Sequence, residues 1–531
     1  MSFKAHYTFR AVLPYIVTVQ YAVSQEHTFT GKGGGIPIYD VAKTITERLP
    51  PEFQQHLAKS IAHVMSQHIM GDKVLTIGTT CSGCDISRKV MDAMAGYWRS
   101  TFDTTIDIAH EFCCESNEVV QAFLKGEFGI KHMFKDTKDL GGIKAHDLMN
   151  DMQVFVPHVF AFLAGFPCVS RSKMNIPSRR NRGCIQKGES ESGVVFAQIL
   201  EYIKNSGPTI VVLENVPALL ENSEEAGDSE NVYASDADYI VGELRKCGMW
   251  AYPCVLQALD YGSPAARNRL YIVALRFPAT QTGHLATFQQ FLGHTKIDSM
   301  MYGFASNFVC LDPDRRLRIL QNLGLPSRGC RGVRPRQEEQ WKHDHLEIFG
   351  AYGEQWPPAK VPAYIDTHCM SPREVDIAYI CDKLFPPAAQ NDISFLDANI
   401  SLSRHLKCAT NVWSPHAPAM TCKSQIMVRS FSSGGRSIRL LESFECMALI
   451  GWATCCFDSG RNDLATHVHF TNELLQRIAG NAFSIFHLVP VLTANVAVLG
   501  APLHIPEEDS DLDDDLMGLV SSHDDGLSSS D

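Results

Sequence analysis

The sequence predicts an α/β protein: a doubly wound, mostly parallel sheet with a second, smaller domain attached. Three observations predict it. Short apolar runs recur, among them Val74-Leu75-Thr76-Ile77, Val159-Phe160-Ala161-Phe162-Leu163-Ala164, Ile210-Val211-Val212-Leu213 and Leu270-Tyr271-Ile272-Val273-Ala274-Leu275. Stretches of helical spacing separate them, and strands alternating with helices argue for parallel βαβ units. Strings carrying reactive side chains follow the runs directly, and the loops at the carboxyl ends of such strands are where open sheets place chemistry.

The elements follow in order. Within 1–70, Leu57, Ile61, Val64 and Met65 recur at helical spacing and predict a helix before the first strand. After the run at Val74 comes Gly78-Thr79-Thr80-Cys81-Ser82-Gly83-Cys84-Asp85, then a helix from Ile86 to about Trp98. A strand around 105–113 ends in Glu115, and a helix follows over roughly 118–125. From about Phe277 to Ser430 the alternation fades, Pro, Gly and His become frequent, and arginines gather from Arg315 to Arg336. The expected division is an extension over 1–70, a main domain over 71–276 completed by 431–500, a smaller domain over 277–430, and an acidic disordered tail over 501–531.

Composition narrows the class. The chain has 531 residues, 45% of them hydrophobic and 20% charged, which are ordinary globular values. Ala11 to Val23 reads as the nearest approach to a membrane span, and it is too short and interrupted by Pro14 and Gln20. Seventeen cysteines, some adjacent, suit a reducing compartment. The net charge is −12, but residues 507–531 hold ten acids and no Lys or Arg; setting those ten aside leaves −2 on the rest. A nearly neutral body binds a polyanion where its basic residues cluster.

Two strings carry the sharpest chemistry. Gly165-Phe166-Pro167-Cys168 puts a thiol in a rigid loop after one buried run, and Glu214-Asn215-Val216 ends another. A thiolate is an effective nucleophile, and Arg171 and Lys173 close by are expected to favour it. Glu214, ending an apolar run, is expected to be desolvated and raised in pKa, which suits a proton donor. Arg267 and Arg269 fall on one strand face and suit an oxygen-rich ligand. Ser82-Gly83 allows close backbone approach to a ligand, as does an ordinary βα turn. Glu115 and Asp136, with Thr137 beside it, stand where such folds hold a nucleoside, although a helix cap reads the same way. Arg171, Lys173, Arg179, Arg180 and Arg182 flank the Cys168 loop and suit phosphate contact. Near the carboxyl end, Arg439 to Gly451 reads as an amphipathic helix, and Gly480-Asn481-Ala482-Phe483 as the opening of another. Cys81 and Cys84 have metal-ligand spacing, but no second such pair answers them, so no metal is expected.

Taken in order, these strings resemble the motif series of the cytosine-5 DNA methyltransferase family over roughly 74–275 and 417–490. The resemblance implies a class I methyltransferase (Rossmann-like) fold with a target-recognition domain at about 277–430. It implies S-adenosylmethionine as cofactor, held by Cys81, Ser82, Gly83, Glu115, Asp136, Thr137 and Asn481. It implies that a cytosine flipped from double-stranded DNA is attacked at C6 by Cys168, that Glu214 protonates or hydrogen-bonds N3, and that Arg269 and Arg267 hold the base and the catalytic loop. Asp85 and Ile86 stand where the family usually has glycine, Cys81 where it has phenylalanine, and Ala265 where it has glutamine; Val-Ser-Arg-Ser follows Cys168 where it commonly has glutamine and a Phe-Ser pair. Two other readings stay open: a tRNA cytosine-5 methyltransferase, whose branch usually carries Pro-Pro-Cys, and a silent DNA-binding regulator of the same fold. A monomer in the nucleus, without membrane contact and with a chromatin or protein partner for the tail, completes the expectation.

Overall fold

In the computed structural model, residues 38–500 are described apart from 68–73, 169–182, 223–232, 277–282, 298–307, 326–334, 388–392, most of 401–411, 453–470 and a few isolated positions such as Ser82 and Cys84; residues 6–7 and 21–22 are described as well. Seven strands form the main sheet: β1 (Val74–Thr80), β2 (Asp107–Cys114), β3 (His132–Phe134), β4 (Ala161–Ala164), β5 (Ile210–Asn215), β6 (Trp250–Gln257) and β7 (Asn268–Leu275). Their spatial order is β6-β7-β5-β4-β1-β2-β3. β7 runs antiparallel to both its neighbours, and the pairings from β5 to β3 are parallel. This is the doubly wound, mostly parallel sheet expected, of the class I methyltransferase, Rossmann-like kind. The chain winds outward from β1 to β3, then returns to lay β4 on the other side of β1. That reversal is the switch point at which such sheets open a crevice.

The continuous apolar runs are explained by burial on both faces. Along β4, Ala161 and Leu163 enter one core and Phe162 and Ala164 the other; along β5, Ile210 and Val212 oppose Val211 and Leu213 in the same way. One face is covered by α1 (Ile38–Arg48), α2 (Pro51–Gln67), α3 (Ile86–Phe102) and α4 (Glu118–Glu127), and the other by α5 (Glu191–Ser206) and α6 (Asp236–Lys246). Leu57, Ile61, Val64 and Met65 all lie in the first core, on the helix their spacing predicts.

The middle of the chain divides between two cores. α7 (His284–His294) and α8 (Pro313–Asn322) send Phe288, Phe291, Ile319 and Leu320 into the core of the main sheet. A separate core gathers residues from Ile348 to Leu440, built on α9 (Pro335–Ala351), α10 (Pro372–Leu384) and the antiparallel strands β8 (Ser394–Asp397), β9 (Ile426–Ser432) and β10 (Gly435–Leu440).

The carboxyl-terminal strings differ from expectation. Arg439 and Leu440 end β10, and the helix begins only at α11 (Ser443–Leu449), where Glu442 and Glu445 form a reciprocal cap. Gly480 and Asn481 close α12 (Asn472–Asn481) instead of opening a helix; the next one, α13, spans Ile485–Leu499. Residues Asn472–Leu499 match a membrane span in length and apolar content better than Ala11–Val23, yet 94% of the stretch's apolar 18-residue window is buried inside the protein. A helix apolar on every side belongs inside a core.

Candidate active site

The carboxyl ends of four strands, β1 to β4, line up beside the switch point, and backbone hydrogen bonds hold them in place. The Cys81 amide donates to the Cys114 carbonyl at 3.1 Å, the Glu115 amide to Phe134 at 3.1 Å, and the Gly165 amide to Thr80 at 3.2 Å. Gly165 therefore sits in the angle between the first and fourth strands. A Cβ there would meet the Cys81 carbonyl at 3.0 Å, the Phe483 ring at 3.5 Å and Glu214 Oε2 at 3.6 Å. The absent side chain lets the thiol loop and the acid approach each other.

The Cys168 loop is fixed from two sides. Asn215 Nδ2 donates to the Phe166 carbonyl at 3.1 Å, and the Ser192 hydroxyl donates to the Pro167 carbonyl at 2.5 Å. Cys168 itself is partly exposed. Its thiol is pushed above the ordinary range, first by burial and then by the Glu214 charge, which outweigh the opposite pull of Arg269 and Arg267. Among the described groups, burial and Glu214 thus outweigh the cations. Arg171, Lys173, Arg179, Arg180 and Arg182, expected to supply that charge and to contact phosphate, lie outside the described residues, as does Ser82.

Glu214 faces both guanidinium groups. Arg269 Nε lies 2.9 Å and Arg267 Nη2 3.5 Å from its Oε1. All three side chains share one face, since Tyr271, two residues beyond Arg269, pairs in register with Glu214. Arg267 also reaches beyond the sheet: Nη2 donates to the Ala482 carbonyl at 2.8 Å and Nη1 to the Gly480 carbonyl at 3.4 Å. Burial, then the Arg269 charge, lowers its pKa to about 10. Behind this group Tyr271 packs edge-on against His487 at 5.4 Å. Burial, then the charges of Arg267 and Arg269, hold that imidazole well below the usual histidine range. Nothing in the sequence pointed to His487 beyond its place in an otherwise apolar run.

The other half of the crevice suits a nucleoside-bearing ligand. Gly83 has φ of +66°, and a Cβ there would press on the backbone of Asn481 and Ala482 at 3.0–3.1 Å. The 480–483 string therefore closes over the turn after β1, as the resemblance implies, with Asn481 exposed beside Gly83. Glu115 stands at the end of β2; its Oε1 accepts from the Asn117 amide at 2.8 Å, and burial raises its carboxyl against that bond and one from Ser116. Asp136 stands after β3, where it caps a short 3-10 turn by accepting from the Lys138 amide at 3.1 Å. The Thr137 hydroxyl donates to Gln198 Oε1. Two acids and a backbone turn that admits no side chain fit an adenosyl group. Among the described residues no three His, Cys, Asp or Glu side chains come together as a metal site.

A profile of the family described as C-5 cytosine-specific DNA methylase matches residues 103–300, which contain Glu115, Cys168, Glu214 and both arginines. The chain is 28% identical over 247 residues to the DNA (cytosine-5-)-methyltransferase DMT5 of Cryptococcus neoformans var. grubii, covering 45% of this chain and 10% of that protein. It is 26% identical over 176 residues to the type II methyltransferase M.Sau3AI of Staphylococcus aureus, covering 33% of this chain and 36% of that one. The chain thus spans well under half the length of these relatives. Among solved structures, the Entamoeba histolytica methyltransferase EhMeth superposes with a TM-score of 0.39 at 13% identity, covering 80% of this chain and 98% of that one.

Proposed function

We propose that the chain, matched over residues 103–300 by the C-5 cytosine-specific DNA methylase family, methylates C5 of cytosine in double-stranded DNA. The observation that carries this reading is the convergence of Cys168, Glu214, Arg267 and Arg269 on one side of the switch point, with the turn after β1 and the two acids on the other. The target base is flipped out of the duplex, since its C5 and C6 are otherwise out of reach. Cys168 attacks C6 as the thiolate, while Glu214, oriented by the two guanidinium groups, hydrogen-bonds or protonates N3. The carbanion-like C5 is then the nucleophile, and loss of the C5 proton expels Cys168. S-adenosylmethionine, when bound, supplies the methyl group that C5 accepts. Cys81 and Gly83 would hold it through their backbone, Glu115 through the ribose, Asp136 through the adenine and Asn481 from above.

The separate core over residues 348–440 is proposed to read the target sequence.

The test is transfer of labelled methyl from S-adenosylmethionine to duplex DNA and, separately, to tRNA, with Cys168→Ser alongside. Label in DNA that disappears in the variant supports the reading. Label in tRNA alone moves the substrate to RNA, and no transfer to either, with DNA binding intact, leaves a silent regulator.

A further inference from the structure

Beneath the turn after β1 lies a group of side chains that the reaction above does not use. Asp85 opens α3 with φ of 51°, a left-handed conformation that few residues besides glycine and Asp or Asn adopt readily. It is fully buried, as are Thr79 and Ser87, and His110 is 3% exposed. Asp85 Oδ2 accepts from the Thr79 hydroxyl at 2.7 Å and lies 3.1 Å from His110 Nε2, while Oδ1 accepts from the Ser87 hydroxyl at 2.7 Å. One carboxylate thereby ties together the end of β1, the first turn of α3 and the middle of β2.

A buried carboxylate is costly unless both oxygens are satisfied, and here both are. Burial works hardest on its pKa and works upward, yet the His110 charge and the bonds from His110, Thr79 and Ser87 together leave it below the ordinary range. The turn above has a second left-handed residue, Cys81 at φ 51°, and then Gly83 pressed against Ala482. Such a backbone persists only where its surroundings over-determine it. Asp85 stands where the resemblance leads one to expect glycine, and here the turn is held by side-chain bonds that a glycine could not make.

We propose that Asp85, bonded to Thr79, Ser87 and His110, is a positioning residue for S-adenosylmethionine, fixing the left-handed turn that receives it. The proposal rests on the reading of that turn as the cofactor's seat. It touches no reacting atom and acts through the backbone of Cys81 and Gly83.

Calorimetric binding of S-adenosylmethionine to the full chain, without DNA, tests it in Asp85→Asn, Asp85→Gly and His110→Gln, each checked for folding by circular dichroism. The proposal expects the dissociation constant to rise about tenfold or more, the equivalent of one or two lost hydrogen bonds to a charged group. KM for S-adenosylmethionine should rise with it, while kcat at saturation falls far less. Asp85→Gly tolerates the positive φ and keeps the test alive should the Asn variant fail to fold. Wild-type protein that binds no S-adenosylmethionine would refute the cofactor seat itself. Wild-type protein that binds, with a folded Asp85→Gly or His110→Gln variant binding equally tightly, would overturn the positioning role alone.

Discussion

Cys168 and Glu214 oppose each other electrostatically, and the consequence is measurable without substrate. The Glu214 charge raises the thiol pKa, and Arg269 and Arg267 lower it. Removing the negative charge in Glu214→Gln should move the pKa downward, so the thiolate fraction near neutral pH increases and alkylation of Cys168 by iodoacetamide quickens. Arg269→Ala should act in the opposite direction. Mass spectrometry of the Cys168 peptide across pH reads both. Methyl transfer by Glu214→Gln should nonetheless fall by about 10²–10⁴, the usual worth of a positioned acid. At this scale the sequence was informative about identity and silent about environment. The order Pro-Cys then Glu-Asn-Val marks the reactive pair, because few other roles need a thiol and an acid directly after buried strands. It does not reveal that burial and Glu214 outweigh the cations, since those contacts cross 46 to 101 positions of chain. Asp85 looked like a loss of the usual glycine, and only its partners on β1, α3 and β2 explain it.

Elements become a site through ties between distant segments. Arg267 bonds two carbonyls that stand 213 and 215 positions later, and so fastens the start of β7 to the junction of α12 and α13. A lysine there has one compact ammonium and no fork to span both carbonyls and the acid. Arg267→Lys should therefore destabilise the fold by about 1–3 kcal/mol, visible in urea unfolding, and weaken S-adenosylmethionine binding through the displaced 480–483 string. Retained stability and binding would show that the tie is incidental. A second tie is the buried pair Arg439–Glu445, whose two 2.7 Å bonds link β10 to α11, with Arg439 also donating to the Cys310 carbonyl at 3.0 Å. The central parallel strands were legible because burial on both faces leaves continuous apolar runs such as 161–164 and 210–213. The boundary at Arg439 was not, since a strand ending in Arg-Leu and a helix beginning there share one apolar spacing; the cap at Glu442 and Glu445 was the overlooked signal. The junction at Gly480 was hidden for a similar reason, as apolar residues flank it on both sides.

At the scale of the molecule, charge and domain layout govern DNA binding. The ten acids of 507–531 account for most of the net −12. A chain ending at residue 506 should bind duplex DNA about two- to fivefold more tightly at low salt, with the difference fading as salt screens it. Fluorescence anisotropy over a salt series measures this, and equal affinities at every salt would separate the tail from DNA binding. Layout was only partly legible. The loss of alternation after Phe277 marked a change of architecture, but α7 and α8 pack into the core of the main sheet, and the second core starts near Ile348. Composition cannot say to which core an amphipathic helix turns its apolar face.

The claim on which the rest depends is that Cys168 attacks cytosine in DNA. Duplex DNA carrying 5-fluorocytosine, incubated with the protein and S-adenosylmethionine, tests it most directly, because fluorine at C5 blocks the proton loss that would release the thiol. The account predicts a denaturation-resistant adduct joined at Cys168, formed by wild-type protein and absent from Cys168→Ser. Wild-type protein that binds this DNA and S-adenosylmethionine yet forms no adduct, or an adduct that persists in Cys168→Ser, would contradict it.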